Sequence, residues 1–134
     1  MGVAVGVLLA LIVSGMATVV GLDRDRALYP VAMIVIASLY ALFAVMGGST
    51  QVLIIESVVG AAFIGLALAG FKSTLWLVVA ALAVHGVFDF GHPYFYANSG
   101  VPVWWPSFCF AYDVVAAAYL AWLLASKKVR ARAV

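Results

Sequence analysis

Apolar runs of about twenty residues alternate with short polar breaks along the whole chain, and each break carries residues that end a membrane span. The first run covers about 2–22 and stops at DRDR, residues 23–26. The second covers 28–46, with Pro30 in its first turn, where a missing N–H is tolerated. GGST at 47–50 separates it from a third run at 51–70, and FKS at 71–73 forms a tight turn before a fourth at 74–90. A loop, GHPYFYANSGVPVWWP at 91–106, leads to a fifth run at 107–125 and a basic tail, SKKVRARAV, at 126–134. The pattern predicts an all-α fold: one domain over 1–134, an integral membrane bundle of five transmembrane helices.

Composition sharpens this picture. Hydrophobic residues make up 68% of the chain and charged ones 9%, with a mean hydropathy of +1.23, which excludes an ordinary soluble domain. Cys109 is the single cysteine, so no internal disulfide forms. The first run lacks the positive flank of a cleaved leader and is too long for one, so it is expected to stay as a span.

All seven Lys and Arg lie in breaks that share one side if there are five spans: Arg24 and Arg26, Lys72, and Lys127, Lys128, Arg130 and Arg132. The positive-inside rule makes that side cytoplasmic, with the N-terminus outside and the C-terminus inside. The same placement explains the formal charge of +2 without nucleic acid; the partners expected are membrane lipids.

Against this background HGVFDFGHP, residues 85–93, stands out, because histidine and aspartate are expensive to hold in hydrocarbon. At 1.5 Å per residue, Glu56 lies roughly 8 Å, Asp113 roughly 9 Å, His85 roughly 9 Å and Asp89 roughly 3 Å below the outer ends of their helices. Four ionisable side chains from three spans therefore share the outer half of the membrane. His85 and Asp89 are one helical turn apart on one face. His92 would extend the stripe, but it precedes Pro93 and is expected to be extended, as a solvated loop residue or one swung over the site.

Carboxylates and imidazoles in this grouping do general acid–base chemistry or bind a divalent metal such as zinc, iron or manganese. The candidate catalytic residues are Glu56, His85, Asp89 and Asp113, and the candidate metal ligands are His85, Asp89, His92 and Glu56. A structural alternative has Glu56 paired with His85, Asp89 capping a backbone group, and Asp113 bonded to Tyr112 or Tyr40. Cys109 is expected to serve packing.

Tyr94, Tyr96, Trp104 and Trp105 lie in the loop, either as an interfacial aromatic belt or as a lid that offers rings to an apolar substrate. Helix one carries Gly2, Gly6, Ala10, Ser14 and Thr18, a strip of small residues suited to internal packing or to a homo-oligomer contact. Ala61, Gly65 and Ala69 form a shorter strip on helix three.

The segment HGVFDFGHPYFYANSGVPVWWPSFCFAYD resembles uncharacterised small polytopic membrane proteins of bacteria. That resemblance implies a bacterial cytoplasmic membrane and attaches no activity. The residues themselves point first to a small intramembrane enzyme acting near the extracytoplasmic face on a lipid-like or apolar small molecule, by hydrolysis, isomerisation or cyclisation. A proton- or ion-coupled transporter or channel working as a homo-oligomer, and a non-catalytic accessory subunit, are the alternatives.

Overall fold

The computed structural model describes residues 1–133 as five helices: α1 Gly2–Val20, α2 Leu28–Met46, α3 Thr50–Lys72, α4 Trp76–Phe95 and α5 Trp105–Ala125. All five are long and apolar enough to cross a membrane. Local chemistry sets their ends. Gly21 closes α1 in the left-handed conformation at φ 90°, and its N–H reaches the carbonyl of Ala17. Ser49 caps α3 by accepting a hydrogen bond from the Val52 N–H at 3.3 Å. Pro106 occupies the first turn of α5, which therefore starts at Trp105, earlier than the apolar run suggests.

The largest departure from expectation is at α4. Its helix runs through Pro93 to Phe95, and His92 is helical and buried, not a solvated loop residue. A proline here forfeits only one hydrogen bond, in the last turn, and the buried contact of His92 with Glu56 at 2.8 Å outweighs the extended bias of a residue before proline. The connecting loop is accordingly shorter than 91–106, beginning at the extended Tyr96.

In the bundle α5 lies between α1 and α4, and α4 packs in turn on α3 and α2. The core is filled by Met33, Val78, Leu82, Leu120 and Leu123. The small residues of α1 are used inside the chain: Gly6, Ala10 and Ser14 are buried, and a Cβ on Gly6 would run into the Phe108 carbonyl of α5. Thr18 accepts from Tyr119 at 3.3 Å and donates to Asp23 at 2.7 Å. The strip of α3, by contrast, faces outward, with open space around Gly65. Gly6→Val is therefore expected to separate α1 from α5 and lower stability by about 1–3 kcal/mol. Gly65→Val is expected to be near neutral; equal thermal melting of the two variants in detergent would refute this packing.

The two ends of the bundle differ. One end gathers the 21–27 turn, the 73–75 turn and the tail, and holds every Lys and Arg. The tail is strapped down there: the Leu75 N–H donates to the Ala131 carbonyl at 2.7 Å and the Ala133 N–H to the Ser73 carbonyl at 2.9 Å. Arg26 donates to the carbonyls of Ala131 and Gly70. The other end carries the loop between α4 and α5. Gly100 of that loop sits so close to the Phe43 carbonyl of α2 that no side chain would fit.

Candidate functional site

Two polar groups lie in the half of the bundle nearer the loop. The deeper one joins α4 to α5. Nδ1 of His85 is 2.7 Å from Oδ2 of Asp113 and 3.2 Å from Oδ2 of Asp89. Asp89 stands one turn beyond His85 on the same helix face, and Gly86 beside them lets α5 approach: a Cβ there would lie 3.3 Å from Asp113. All three side chains are buried, and one ligand atom from each lies within 4.8 Å of the others. Phe63 covers the His85 ring edge-on, with centroids 4.7 Å apart.

The second group ties the loop to α3. Glu56 Oε1 receives His92 Nε2 at 2.8 Å and the Asn98 amide at 2.9 Å, and its Oε2 accepts from the Tyr96 hydroxyl at 2.8 Å. Asn98 also donates to the Tyr40 carbonyl at 3.3 Å, and its own carbonyl accepts from the Gly100 N–H. Burial and the neighbouring Glu56 carboxylate hold the Tyr96 phenol well above its ordinary pKa range, so it stays a donor.

Tyr40 stands between the groups. Its ring lies 4.4 Å from that of His92 and 6.3 Å from that of His85, and its hydroxyl is buried beside Asp89. Oδ1 of Asp89 and Oδ1 of Asp113 are buried without a conventional hydrogen bond, and Oδ2 of Asp89 has only the 3.2 Å approach of His85. Such atoms are rare, because each forgoes its hydration for nothing. Charge adds to the imbalance: Glu56, Asp89 and Asp113 face only two imidazoles, so with all five groups ionised one negative charge would be left over in a low-dielectric interior. The geometry thus leaves room, in donor set and in charge, for an added proton or cation.

Two openings approach this centre. A cavity of about 300 Å³ beneath the loop has His92, Tyr96 and Asn98 in its wall. On the side of the bundle an apolar cleft of about 260 Å³ lies where α2 and α5 meet beside α1, lined by Leu9, Ala32, Ile36, Phe108, Cys109 and Tyr112. Cys109 is buried one helical turn from Asp113, so the cleft ends close to the deeper group. Toward the basic end, the space next to His85 is filled by Val78, Ala81, Leu82, Ala116 and Leu120.

The sequence-derived residues are thus divided. Asp113 joins His85 and Asp89, whereas Glu56 and His92 pair with each other at the loop; the Glu56–His85 pair does not form. Among the aromatics, Tyr96 bonds to Glu56 and Trp105 packs edge-on against Phe43 at 5.0 Å, while Tyr94 and Trp104 are exposed. Asn98 escaped sequence reasoning, because NSG reads as a turn and its Asx-type bond to Gly100 satisfies that reading. Tyr40, expected only as an alternative partner for Asp113, instead lies against the His92 ring and beside Asp89.

No family model, curated protein or solved structure matches this chain.

Proposed function

We propose that the chain is a small intramembrane enzyme whose centre, His85, Asp89 and Asp113, binds a divalent metal ion and acts on a lipid-like or apolar small molecule. The observation that carries this reading is the convergence of three buried ligand atoms, with the Oδ1 atoms of Asp89 and Asp113 left without a hydrogen-bond partner. Oxygen and nitrogen ligands sit about 2.0–2.2 Å from zinc, hence roughly 3.4 Å from one another in a tetrahedral site. Atoms already gathered within 4.8 Å need little adjustment to reach that arrangement, the His85 contacts at 2.7 and 3.2 Å opening slightly around the ion. A nitrogen and two carboxylates suit zinc, iron or manganese, and binding would release the proton that His85 shares with the two aspartates.

In this reading His92, in the wall of the loop cavity, and Glu56, bonded to it from behind that wall, pass protons between water and the centre by way of Tyr40. The apolar cleft beside Cys109 supports a substrate that arrives sideways from the bilayer, and the loop cavity supports water as co-reactant. With the basic end cytoplasmic by the positive-inside rule, the centre faces the extracytoplasmic half of a bacterial inner membrane. The apolar packing below His85 favours chemistry with one-sided access over passage of an ion.

Metal analysis of detergent-purified protein tests the proposal: about one equivalent is expected in the wild type and close to none in folded Asp89→Asn and Asp113→Asn variants. Well-folded but metal-free wild type would refute the metal centre. The enzyme reading is checked by incubating the metal-loaded protein with a total bacterial lipid extract and following consumption by mass spectrometry. Identical profiles for wild type and Asp89→Asn would refute it.

A further inference from the structure

The basic end contains a built pocket that the proposed chemistry does not use. The backbone strap between the tail and the α3–α4 turn, with Thr74 and Arg132 bridged in antiparallel fashion, brings together residues almost sixty positions apart. Beside it lies a pocket of about 420 Å³ lined by Lys72, Ser73, Thr74, Arg132 and Ala133. Its polar groups are not equivalent. The Ser73 hydroxyl is spent on the Ala69 carbonyl at 2.6 Å. Thr74 Oγ1 accepts from the Trp76 N–H at 3.4 Å, so its own O–H is left to donate.

The surroundings carry a strong charge bias. Seven Lys and Arg share this end with two carboxylates, Asp23 and Asp25. Among the described residues no lysine or arginine is ion-paired; the three close acid–base contacts all involve histidines at the other end. An ammonium, a guanidinium and a hydroxyl donor around one opening are the groups that hold a phosphate oxygen. The helices flanking the pocket are membrane spans, so this opening lies at headgroup level, where anionic lipid is attracted to juxtamembrane Lys and Arg.

We propose that this pocket binds the phosphodiester headgroup of an anionic phospholipid, held by Lys72, Arg132 and the Thr74 hydroxyl. The tail is then part of a lipid site, because only the strap places Arg132 opposite Lys72. The inference is independent of the chemistry at His85.

The test is native mass spectrometry of protein released from nanodiscs of mixed phosphatidylglycerol and phosphatidylcholine. Wild type should retain one phosphatidylglycerol in preference to phosphatidylcholine. Lys72→Gln and Arg132→Gln should each weaken retention about fivefold, the equivalent of losing one juxtamembrane cation. Arg24→Gln and Arg130→Gln, which remove the same charge elsewhere on this end, should leave it nearly unchanged. The backbone bonds of the strap do not use the Arg132 side chain, so these variants should fold, as thermal melting checks. Equal losses for all four variants would mean diffuse attraction and overturn the site, as would a wild type without lipid preference. Displacement of the lipid by millimolar inorganic phosphate would assign the pocket to a soluble anion and overturn the lipid assignment.

Discussion

His85→Ala should lower stability by about 3–5 kcal/mol, the range for removing one partner of a buried charged pair. His85 Nδ1 is the one group within hydrogen-bonding reach of both Asp89 and Asp113, at 3.2 and 2.7 Å, and neither carboxylate has another conventional partner. Its loss would leave two acidic groups facing each other in an apolar wall built by Phe63 and Leu82. The origin of the effect can be separated from simple loss of volume. If electrostatics dominates, adding Asp89→Asn and Asp113→Asn to His85→Ala should recover a large part of the stability, since the unpaired charge is gone. Unfolding in a graded detergent mixture measures all three proteins. A His85→Ala protein as stable as the wild type, with no metal added, would mean that the centre is not held together by this imidazole.

The second large effect is expected at Glu56. Its carboxylate receives three side chains, His92, Tyr96 and Asn98, two of which lie at or beyond the end of α4. Hydrogen bonds to a charged acceptor contribute about 1.5–3 kcal/mol each, and these three share one anchor, so their energies do not add. Glu56→Ala is expected to cost about 3 kcal/mol or more and to release the segment from Tyr96 to Gly100 from α2 and α3. Hydrogen exchange followed by mass spectrometry should show amides 96–104 exchanging at least tenfold faster, while α1 stays protected. Glu56→Gln keeps two acceptor sites on one oxygen and should fall between. Unchanged exchange in Glu56→Ala would show that Gly100 and the Phe43 carbonyl hold the loop without the carboxylate.

Much of this architecture is legible in the chain because membrane helices advertise themselves: each must hide its backbone bonds within one long apolar run, and each break must be polar. The five runs, the clustering of all cations at one end, and the shared depth of Glu56, His85, Asp89 and Asp113 follow from that rule. What depth leaves open is rotation about each helix axis. Asp113 and Glu56 lie at similar levels on different helices, and only the packing of α5 on Gly86 decides that Asp113 turns to His85 while Glu56 turns to His92. The end of α4 lies beyond its apolar run for a related reason. Proline statistics describe the backbone locally, and His92 remains helical because of a contact 36 residues away in sequence.

The position of the deeper group along the bundle has an electrical consequence. Asp113 lies eight residues inside α5, roughly 12 Å from its loop end, against a hydrocarbon core of about 30 Å. In the proposed orientation, with the basic end cytoplasmic, a divalent ion travelling from the loop to Asp113 would cross about two-fifths of the membrane voltage. At 100 mV, negative inside, that is roughly 1.8 kcal/mol, or about twentyfold in affinity. If the proposed centre takes a divalent ion in this orientation, an energised cell would load it more fully than a detergent micelle would, and dissipating the potential would partly empty it.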